Sequence, residues 1–415
     1  MAPFQQFQYQ ALSSVRSTRL ITLFPADQPD SDICIELSEC VLESTLEYAA
    51  LSYTWGDQQP TIEITCNGKI LRVTENVHMA LRRLRSNNGE QRTLWIDALS
   101  INQQDEAEKT AQVSEMGLIY SRAQRVNVWL GHPPPAMGMF FEFVRVEIEG
   151  SACEPEIADG TVYSFHSYSF NLNWIVNKAP RICTLTISLA AHISEYRAAL
   201  HQFCSAPYWT RIWTIQEVVL NSNCWVYLGD AEPIRMSDLQ ESLLRIETVI
   251  GERWPNLGGN RRRAQDPGVL YPACGSPIDV MSFHQPGMVR SLDPDPEELR
   301  LLMTKKAKNP HDLFFACRAL FPDTFGRIVV DYRRDLSDII TELTAHIIQR
   351  ATDVGSLLSL ICLCPPVPRA PSWAINMQWD GLRKHTSHYL GSYWTLPQMN
   401  SPRRTESFQT ERLYR

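Results

Sequence analysis

None of the 11 cysteines in this 415-residue chain forms a CxxC pair, and their spacing fits neither a zinc knuckle nor a disulfide framework. Free thiols are typical of the reducing cytosol and nucleus. We therefore expect an intracellular protein, cytoplasmic by default, with a nuclear location left open. No metal site is predicted.

Long apolar runs and an excess of positive charge are also lacking. The longest apolar stretches, around 184–193 and 357–364, are much shorter than the roughly 20 residues that a membrane-spanning helix needs. The first residues show no charged segment followed by an apolar one, as a secretory signal would. A net charge of −7 argues against a nucleic-acid-binding face, which is normally basic. Neither a membrane span nor a nucleic-acid partner is expected.

The common catalytic signatures are missing too. There is no GxGxxG, Walker A, HExxH or GxSxG motif and no set of kinase motifs, and the 10 histidines are dispersed. No cofactor is predicted from a motif.

What the chain does contain is an ordinary globular composition, with 44% hydrophobic and 20% charged residues. Changes in composition predict four parts. They are a flexible lead-in (1–18), an α/β domain (19–230) with an insertion at about 132–190, a helical C-terminal region (231–365) with a long loop at 251–296, and a loop-rich tail (366–415).

Hydrophobic periodicity predicts the elements of these parts. Strands are expected at 19–24, 33–37, 48–55, 93–97, 125–130 and 224–228, and helices at 193–204, 208–220, 237–250, 299–306, 313–320 and 337–352. Asn67-Gly68 between two alternating segments predicts a type I′ hairpin. Thr74 and Asp105 are predicted N-caps of two further helices.

The segment 93–130 reads as strand, helix and strand, a βαβ unit whose strands are parallel. The predicted fold is therefore α/β, an open and mainly parallel sheet with flanking helices, a hairpin and a largely helical C-terminal part.

Three blocks carry a family resemblance. They are YAALSYTWGD at 48–57, WIDALSINQQDEAEKTAQVSEMGLIYSRAQRVNVWLG at 95–131 and PYWTRIWTIQEVVL at 207–220. In order and spacing they resemble the fungal heterokaryon-incompatibility (HET) domain family. The resemblance covers 19–220 well and 309–350 loosely, where Asn309 and His311 depart from the family's usual Asp and Arg. It implies a HET domain at 19–230 and a role in fungal nonself recognition as an effector of programmed cell death.

The HET family is in turn remotely similar to TIR domains, which have a flavodoxin-like parallel sheet and in some members cleave NAD. The resemblance thus implies a flavodoxin-like or TIR-like core, with NAD as a candidate substrate. Two alternatives stay open. One is a non-enzymatic signalling module that works through protein partners and self-association; the other is an accessory protein of another fungal pathway, such as specialised metabolism.

Polar side chains gather where two predicted strands end, and ligands of open parallel sheets bind at that end. A carboxylate there could orient the ribose of NAD and stabilise an oxocarbenium-like transition state. The candidate catalytic residues are Asp97, Asp105, Glu108 and Glu217. The candidate ligand-binding residues are Tyr53, Trp55, Asp57, Asn102, Gln103 and Arg211.

Structural roles compete for several of these positions. Asp105 stands where an N-cap belongs, and Glu108 three residues later would complete a capping box. Asp97 can fix its loop by local hydrogen bonds. Arg211 and Glu217, six residues apart on one predicted helix, are expected to reach different partners.

Two further groups of residues are expected to have structural rather than ligand-binding roles. Trp55, Trp95 and Trp129 are expected in the core rather than in a ligand-binding wall. The stripe of Glu108, Gln112 and Glu115 on one helix face is typical of a solvated surface.

Overall fold

The computed structural model describes residues 5–26, 28, 30–43, 47–56, 58–86, 88–134, 193–243, 293–350 and 366–377, with scattered positions in 137–148 and 355–361. Most of the predicted insertion at 132–190, of the loop at 251–296 and of the tail lies outside these residues. So does Asp57, one of the candidate ligand-binding residues.

The strands of the described residues form one sheet. In chain order they are β1 (Ser17–Leu23), β2 (Cys34–Val41), β3 (Ala49–Tyr53), β4 (Ile62–Cys66), β5 (Lys69–Val73), β6 (Arg92–Trp95), β7 (Arg125–Trp129), β8 (Cys224–Tyr227) and β9 (Ile234–Arg235). Their order across the sheet is β5-β4-β2-β1-β6-β3-β7-β8-β9.

The α/β class is confirmed, but the sheet is mixed rather than mainly parallel. The central strands β6, β3, β7 and β8 pair in parallel, as do β2 and β4. The remaining pairs are antiparallel. A short connection joins β1 to β2, and such a connection permits only antiparallel pairing because a parallel pair needs a long crossover.

Helices cover both faces of the sheet. In chain order they are α1 (Glu75–Leu84), α2 (Asp97–Ser100), α3 (Glu106–Arg122), α4 (Ile193–Cys204), α5 (Pro207–Thr210), α6 (Trp213–Val219), α7 (Pro296–Met303), α8 (Asp312–Phe315) and α9 (Leu336–Arg350), with a 3-10 turn at Phe325–Arg327. Residues 236–243 are helical as well.

Successive residues of a strand point to opposite faces of the sheet, and each face packs against its own set of helices. Leu51 and Trp129 belong to a core cluster with Val77 and Leu81 of α1. The neighbouring positions, such as Val128, belong to a second cluster that contains residues of α3, α5 and α6. A third cluster joins α6 to the C-terminal region, which comprises α7, α8 and α9.

Local signals place several elements correctly. Asn67 and Gly68 have φ values of 50° and 73°, as a type I′ hairpin requires. Thr74 accepts a hydrogen bond from the Val77 backbone N–H and caps α1. Asp105 caps α3 through the backbone N–H groups of Ala107 and Glu108. The segment β6–α3–β7 has parallel strands, with β3 lying between them.

Several boundaries were predicted wrongly: the helix expected at 313–320 ends at Phe315, the one expected at 299–306 spans Pro296–Met303, and two further errors affect the site. The strand expected at 93–97 ends at Trp95, and Asp97 instead begins α2. The helix expected at 208–220 is broken into α5 and α6, with Arg211 in an extended conformation between them. The backbone of Lys306 causes the break, because its N–H donates to Thr210 O at 2.6 Å and its carbonyl accepts from Ile212 N at 3.0 Å.

Two further observations concern membrane-spanning helices and the cysteines. Within the described ranges, no helix is long and apolar enough to cross a bilayer. The cysteines that the structure describes carry free thiols, as their spacing predicts.

Candidate functional site

The site lies where β3 and β6 end side by side. These strands pair in parallel, with Ala50 opposite Trp95. Tyr53 is therefore at the carboxyl end of one strand while Asp97 follows the other, as the sequence predicted. Trp55 comes two residues after β3.

Asp97 is held on several sides. Its side chain accepts from the Trp55 indole N–H (Nε1–Oδ2, 2.7 Å) and from the Ala98 backbone N–H (2.7 Å). Its own carbonyl accepts from the Gln103 amide at 2.9 Å. The Tyr53 hydroxyl also interacts with the Asp97 carboxyl. Asp97 is only 8% exposed, so these contacts replace most of its hydration.

Trp55 corrects one expectation. Trp95 and Trp129 are core residues, but Trp55 is 37% exposed. Its indole covers Asp97 at the surface, because the N–H has found a carboxylate partner at the strand end.

Glu217 reaches the same strand from α6. It is 2% exposed, and its carboxylate accepts a hydrogen bond from the Ser52 hydroxyl. Ser52 in turn hydrogen-bonds with the Tyr208 hydroxyl at 2.6 Å. Ser52 lies on β3 between Leu51 and Tyr53, so its side chain points to the α6 face of the sheet.

Arg211 lies close enough to the two carboxylates for their charges to interact. Its guanidinium donates to the Tyr53 carbonyl and acts through its charge on both Asp97 and Glu217. Arg211 and Glu217 hydrogen-bond different partners, Tyr53 and Ser52, as expected, but the break between α5 and α6 turns both toward β3, where their charges interact. We call Asp97, Arg211 and Glu217 the buried charge cluster.

Burial sets the protonation of the two acids. Loss of hydration raises the pKa of Glu217 to about 7, although Arg211 and the Ser52 hydrogen bond oppose the rise. Loss of hydration also raises the pKa of Asp97, against the opposing charge of Arg211 and the Trp55 hydrogen bond. Glu217 is thus the acid of the cluster that can change its charge near neutral pH.

A third acid approaches Arg211 from the C-terminal region. Asp312 accepts from the Tyr332 hydroxyl at 2.8 Å and interacts with the Trp213 indole. Burial raises the pKa of Asp312, and the charges of Lys109 and Arg211 oppose the rise. Residues of the C-terminal region therefore contribute to the electrostatics of the cluster.

The other candidate catalytic residues lie elsewhere. Asp105 is an exposed N-cap. Glu108 does not complete a capping box. It forms a buried, two-pronged ion pair with Arg19, at 2.6 Å (Nη1–Oε1) and 3.0 Å (Nη2–Oε2), and also accepts from the Asn102 backbone N–H at 2.7 Å. The Asn102 side chain accepts from the Gln104 backbone N–H.

Two of the three residues of the polar stripe on α3 are buried rather than solvated; the third, Glu115, is partly exposed and pairs with Arg16. Glu108 is buried by Arg19, and Gln112 is fully buried, donating to Ser17 O and accepting from the Thr18 hydroxyl, both at 2.7 Å. Both residues connect α3 to β1, which the sequence placed in the sheet without showing that it lies against this helix.

Sequence reasoning did not single out Ser52, Tyr208 or Asp312. A hydroxyl in the otherwise apolar strand 49–53 was the available signal for Ser52, because a buried polar group must find a partner. Nothing local indicated Tyr208 or Asp312, since their partners are distant in the chain.

The cluster combines two carboxyl groups, one guanidinium and a partly exposed indole. A carboxyl group that titrates near neutral pH can donate or accept a proton in catalysis or can switch a packing contact on and off. Asp97 and Glu217 are less than 10% exposed, whereas the Trp55 indole, which donates to Asp97, is 37% exposed.

Comparison with known proteins finds similarity over the central part of the chain. The family model described as heterokaryon incompatibility protein (HET) matches residues 48–217, a range that contains the whole buried charge cluster. A curated relative from Neurospora crassa, Heterokaryon incompatibility protein 6, OR allele, is 38% identical over 125 residues, which cover 27% of this chain and 18% of the relative. The chain therefore aligns with less than a fifth of that relative. No solved structure matches the chain significantly.

Proposed function

Because residues 48–217 belong to the heterokaryon-incompatibility (HET) family, we propose that this protein acts in fungal nonself recognition as an effector that triggers cell death. The Neurospora crassa relative, named for heterokaryon incompatibility, supports the recognition role. The proposed action is inside the cell and involves protein partners and self-association.

One observation carries the proposal to particular residues. Asp97, Arg211 and Glu217 lie within the matched range and meet at the carboxyl ends of β3 and β6. Buried charges cost stability unless they are well paired, so a core that served only stability would be better filled with apolar side chains. The cluster is therefore the proposed origin of the effector output.

The experiment is inducible expression of the full chain in a filamentous fungus, with dead cells counted by a vital dye. Asp97→Asn removes the negative charge while keeping the size of the side chain, and we expect it to abolish killing. Asp105→Asn makes the same chemical change at an exposed N-cap, where Asn caps as well as Asp, and should kill like the wild type.

Folding and abundance are measured alongside. Immunoblots establish equal protein levels, and circular dichroism of the purified variants establishes that both are folded. Equal killing by a folded Asp97→Asn variant and the wild type would refute the role of the cluster. No killing by any version, wild type included, would refute the effector function.

A second candidate function is cleavage of NAD at the same place. The observation in its favour is the proximity of Glu217, whose pKa is raised to about 7, to Asp97 beneath a partly exposed indole. Nicotinamide leaves NAD as a neutral molecule and needs no proton, so one carboxylate would stabilise the cationic transition state while a group with a pKa near 7 accepts the proton of the attacking water.

Release of nicotinamide by concentrated, purified protein tests this candidate, with a TIR-domain enzyme as the positive control. Activity that disappears in Glu217→Gln and persists in Asp105→Asn would support it. Killing without any loss of cellular NAD would instead assign the effector output to protein contacts.

A further inference from the structure

A group of arginines surrounds a cavity that is lined by none of the residues of the buried charge cluster. The cavity has a volume of about 530 Å³ and is lined by Arg83, Arg85, Arg92, Arg125, Tyr227 and Glu232, among others. Arg92 and Arg125 are the first residues of β6 and β7, and Arg83 and Arg85 lie at the C-terminal end of α1. Rigid elements thus hold all four guanidinium groups.

The charge of this cavity is unbalanced. Four arginines face one carboxylate, that of Glu232, in a chain whose net charge is −7. A neighbouring cavity of about 490 Å³ shares Arg83 and Arg85 and adds Arg82, His78 and His132, with Asp230 as its acid. The excess of positive charge therefore extends around the end of α1.

The contacts of three of these arginines leave donors unused. Arg83 donates to the Ala231 carbonyl at 3.0 Å and lies over the Tyr227 ring at 5.5 Å, while its Nε is buried without a hydrogen-bond partner. Arg125 donates to the Tyr227 hydroxyl at 3.0 Å. The Arg92 side chain has no hydrogen-bond or ion-pair partner among the described residues, and neither Arg83 nor Arg125 pairs there with a carboxylate.

Two bases near this cavity have lowered pKa values, mainly because they are buried. Burial, followed by the charge of Arg82, lowers the pKa of Arg85. Burial and then the charges of Arg82 and Arg85 lower the pKa of His78. The charge of Arg82 adds to the effect of burial at both bases, as expected at an end of α1 that carries several arginines.

From this geometry we infer that the cavity of Arg83, Arg92 and Arg125 binds a small molecule carrying two or more phosphate groups. The planar guanidinium fork matches phosphate oxygens in pairs, and several such forks around one cavity favour adjacent phosphates over a single one. The volume lies within the range of small-molecule sites. The inference does not depend on the proposed function, because the site is separate from the buried charge cluster.

Calorimetric titration of the full-length protein with pyrophosphate tests the inference. We expect saturable binding of one pyrophosphate per chain, and binding of inorganic phosphate at least tenfold weaker, which corresponds to about 1.4 kcal/mol. Titrations with ATP and with inositol hexakisphosphate then distinguish a nucleotide from an inositol phosphate as the source of the phosphates.

Matched variants locate the binding. Arg92→Gln and Arg125→Gln should each weaken pyrophosphate binding about tenfold, the loss of one charge-assisted contact. Arg72→Gln removes an exposed arginine of the β4–β5 hairpin and should leave it unchanged. The Arg92 side chain has no partner among the described residues, so its replacement should not unfold the protein, which circular dichroism checks.

The opposite results overturn the inference. Binding that is equal in Arg92→Gln, Arg125→Gln and wild type would place the anion elsewhere. Heat signals that sodium chloride at matched ionic strength reproduces would show only general screening of positive charge.

Discussion

Gly117 in the middle of α3 lies directly against Ala319 of the C-terminal region, so closely that a Cβ atom at position 117 would overlap the Cβ of Ala319. The helix that follows Asp105 therefore contacts the sheet with one face and the C-terminal region with another. No backbone strain requires the glycine; the close approach of two elements does.

Gly117→Ala should lower the free energy of unfolding by about 1–3 kcal/mol, the usual cost of overpacking, despite the better helix propensity of alanine. Urea denaturation measures the change. The variant Ala319→Gly supplies the control, because in that background Gly117→Ala has room for its methyl group and should become neutral or stabilising. A cost that persists in the double variant would contradict the packing argument.

Glu217 gives the protein a characteristic dependence on pH. Its pKa is raised to about 7 in the folded protein from 4.5, so the unfolded chain releases this proton first as the pH rises. The contribution is absent below about pH 4.5, and stability falls between about pH 4.5 and 7 by roughly 3 kcal/mol at most. Asp97, whose pKa is also raised, changes stability in the same direction.

Glu217→Gln should flatten this decline, which denaturation at a series of pH values measures. Glu63→Gln changes an exposed carboxylate on β4 in the same way and should leave the slope unaltered. Parallel curves for wild type and Glu217→Gln would show that Glu217 does not carry the proton.

The Arg19–Glu108 pair should be important for stability, because both side chains are less than 10% exposed. Glu108→Gln leaves the Arg19 charge buried without its partner and should cost about 3–5 kcal/mol. Glu63→Gln breaks the exposed pair with Arg72 and should cost at most about 1 kcal/mol. Similar costs for the two variants would be inconsistent with the burial of the first pair.

The Trp55 indole provides a separate test of Asp97. Trp55→Phe removes the N–H donor at 2.7 Å and leaves one carboxylate oxygen short of a partner, at a cost of about 1–3 kcal/mol. Trp225→Phe removes an indole N–H that donates to the exposed Asn223 side chain and should cost less. Thermal denaturation followed by circular dichroism compares the two, and a larger loss for Trp225→Phe would contradict the assigned contact.

Local signals in the sequence predicted the elements well but not their assembly. The hairpin at Asn67-Gly68 and the caps Thr74 and Asp105 depend on neighbours within a few residues, so their chemistry can be read directly. The break at Arg211 depends on Lys306, almost a hundred residues away, and no periodicity reveals such a contact.

The sequence likewise predicted only part of the candidate site. Asp97, Tyr53 and Trp55 follow from the rule that polar residues gather at the ends of parallel strands. Glu108 belongs to the same sequence block as Asp97, but it forms a buried ion pair with Arg19 of β1 and therefore lies outside the site. Ser52 contacts Glu217, and Tyr208 contacts Ser52, through packing of α5 and α6 on the sheet, which a single sequence does not reveal.

The sheet reaches beyond the residues that carry the family signature. β1 and β2 precede residue 48, while β8 and β9 follow residue 217, yet they pair with β6, β4 and β7 inside the signature. A fragment cut at the limits of the signature would bare two rows of backbone hydrogen-bonding groups and detach the β4–β5 hairpin, which invites aggregation between copies. A fragment designed to fold by itself must therefore include the flanking strands, because the folding unit is wider than the family signature.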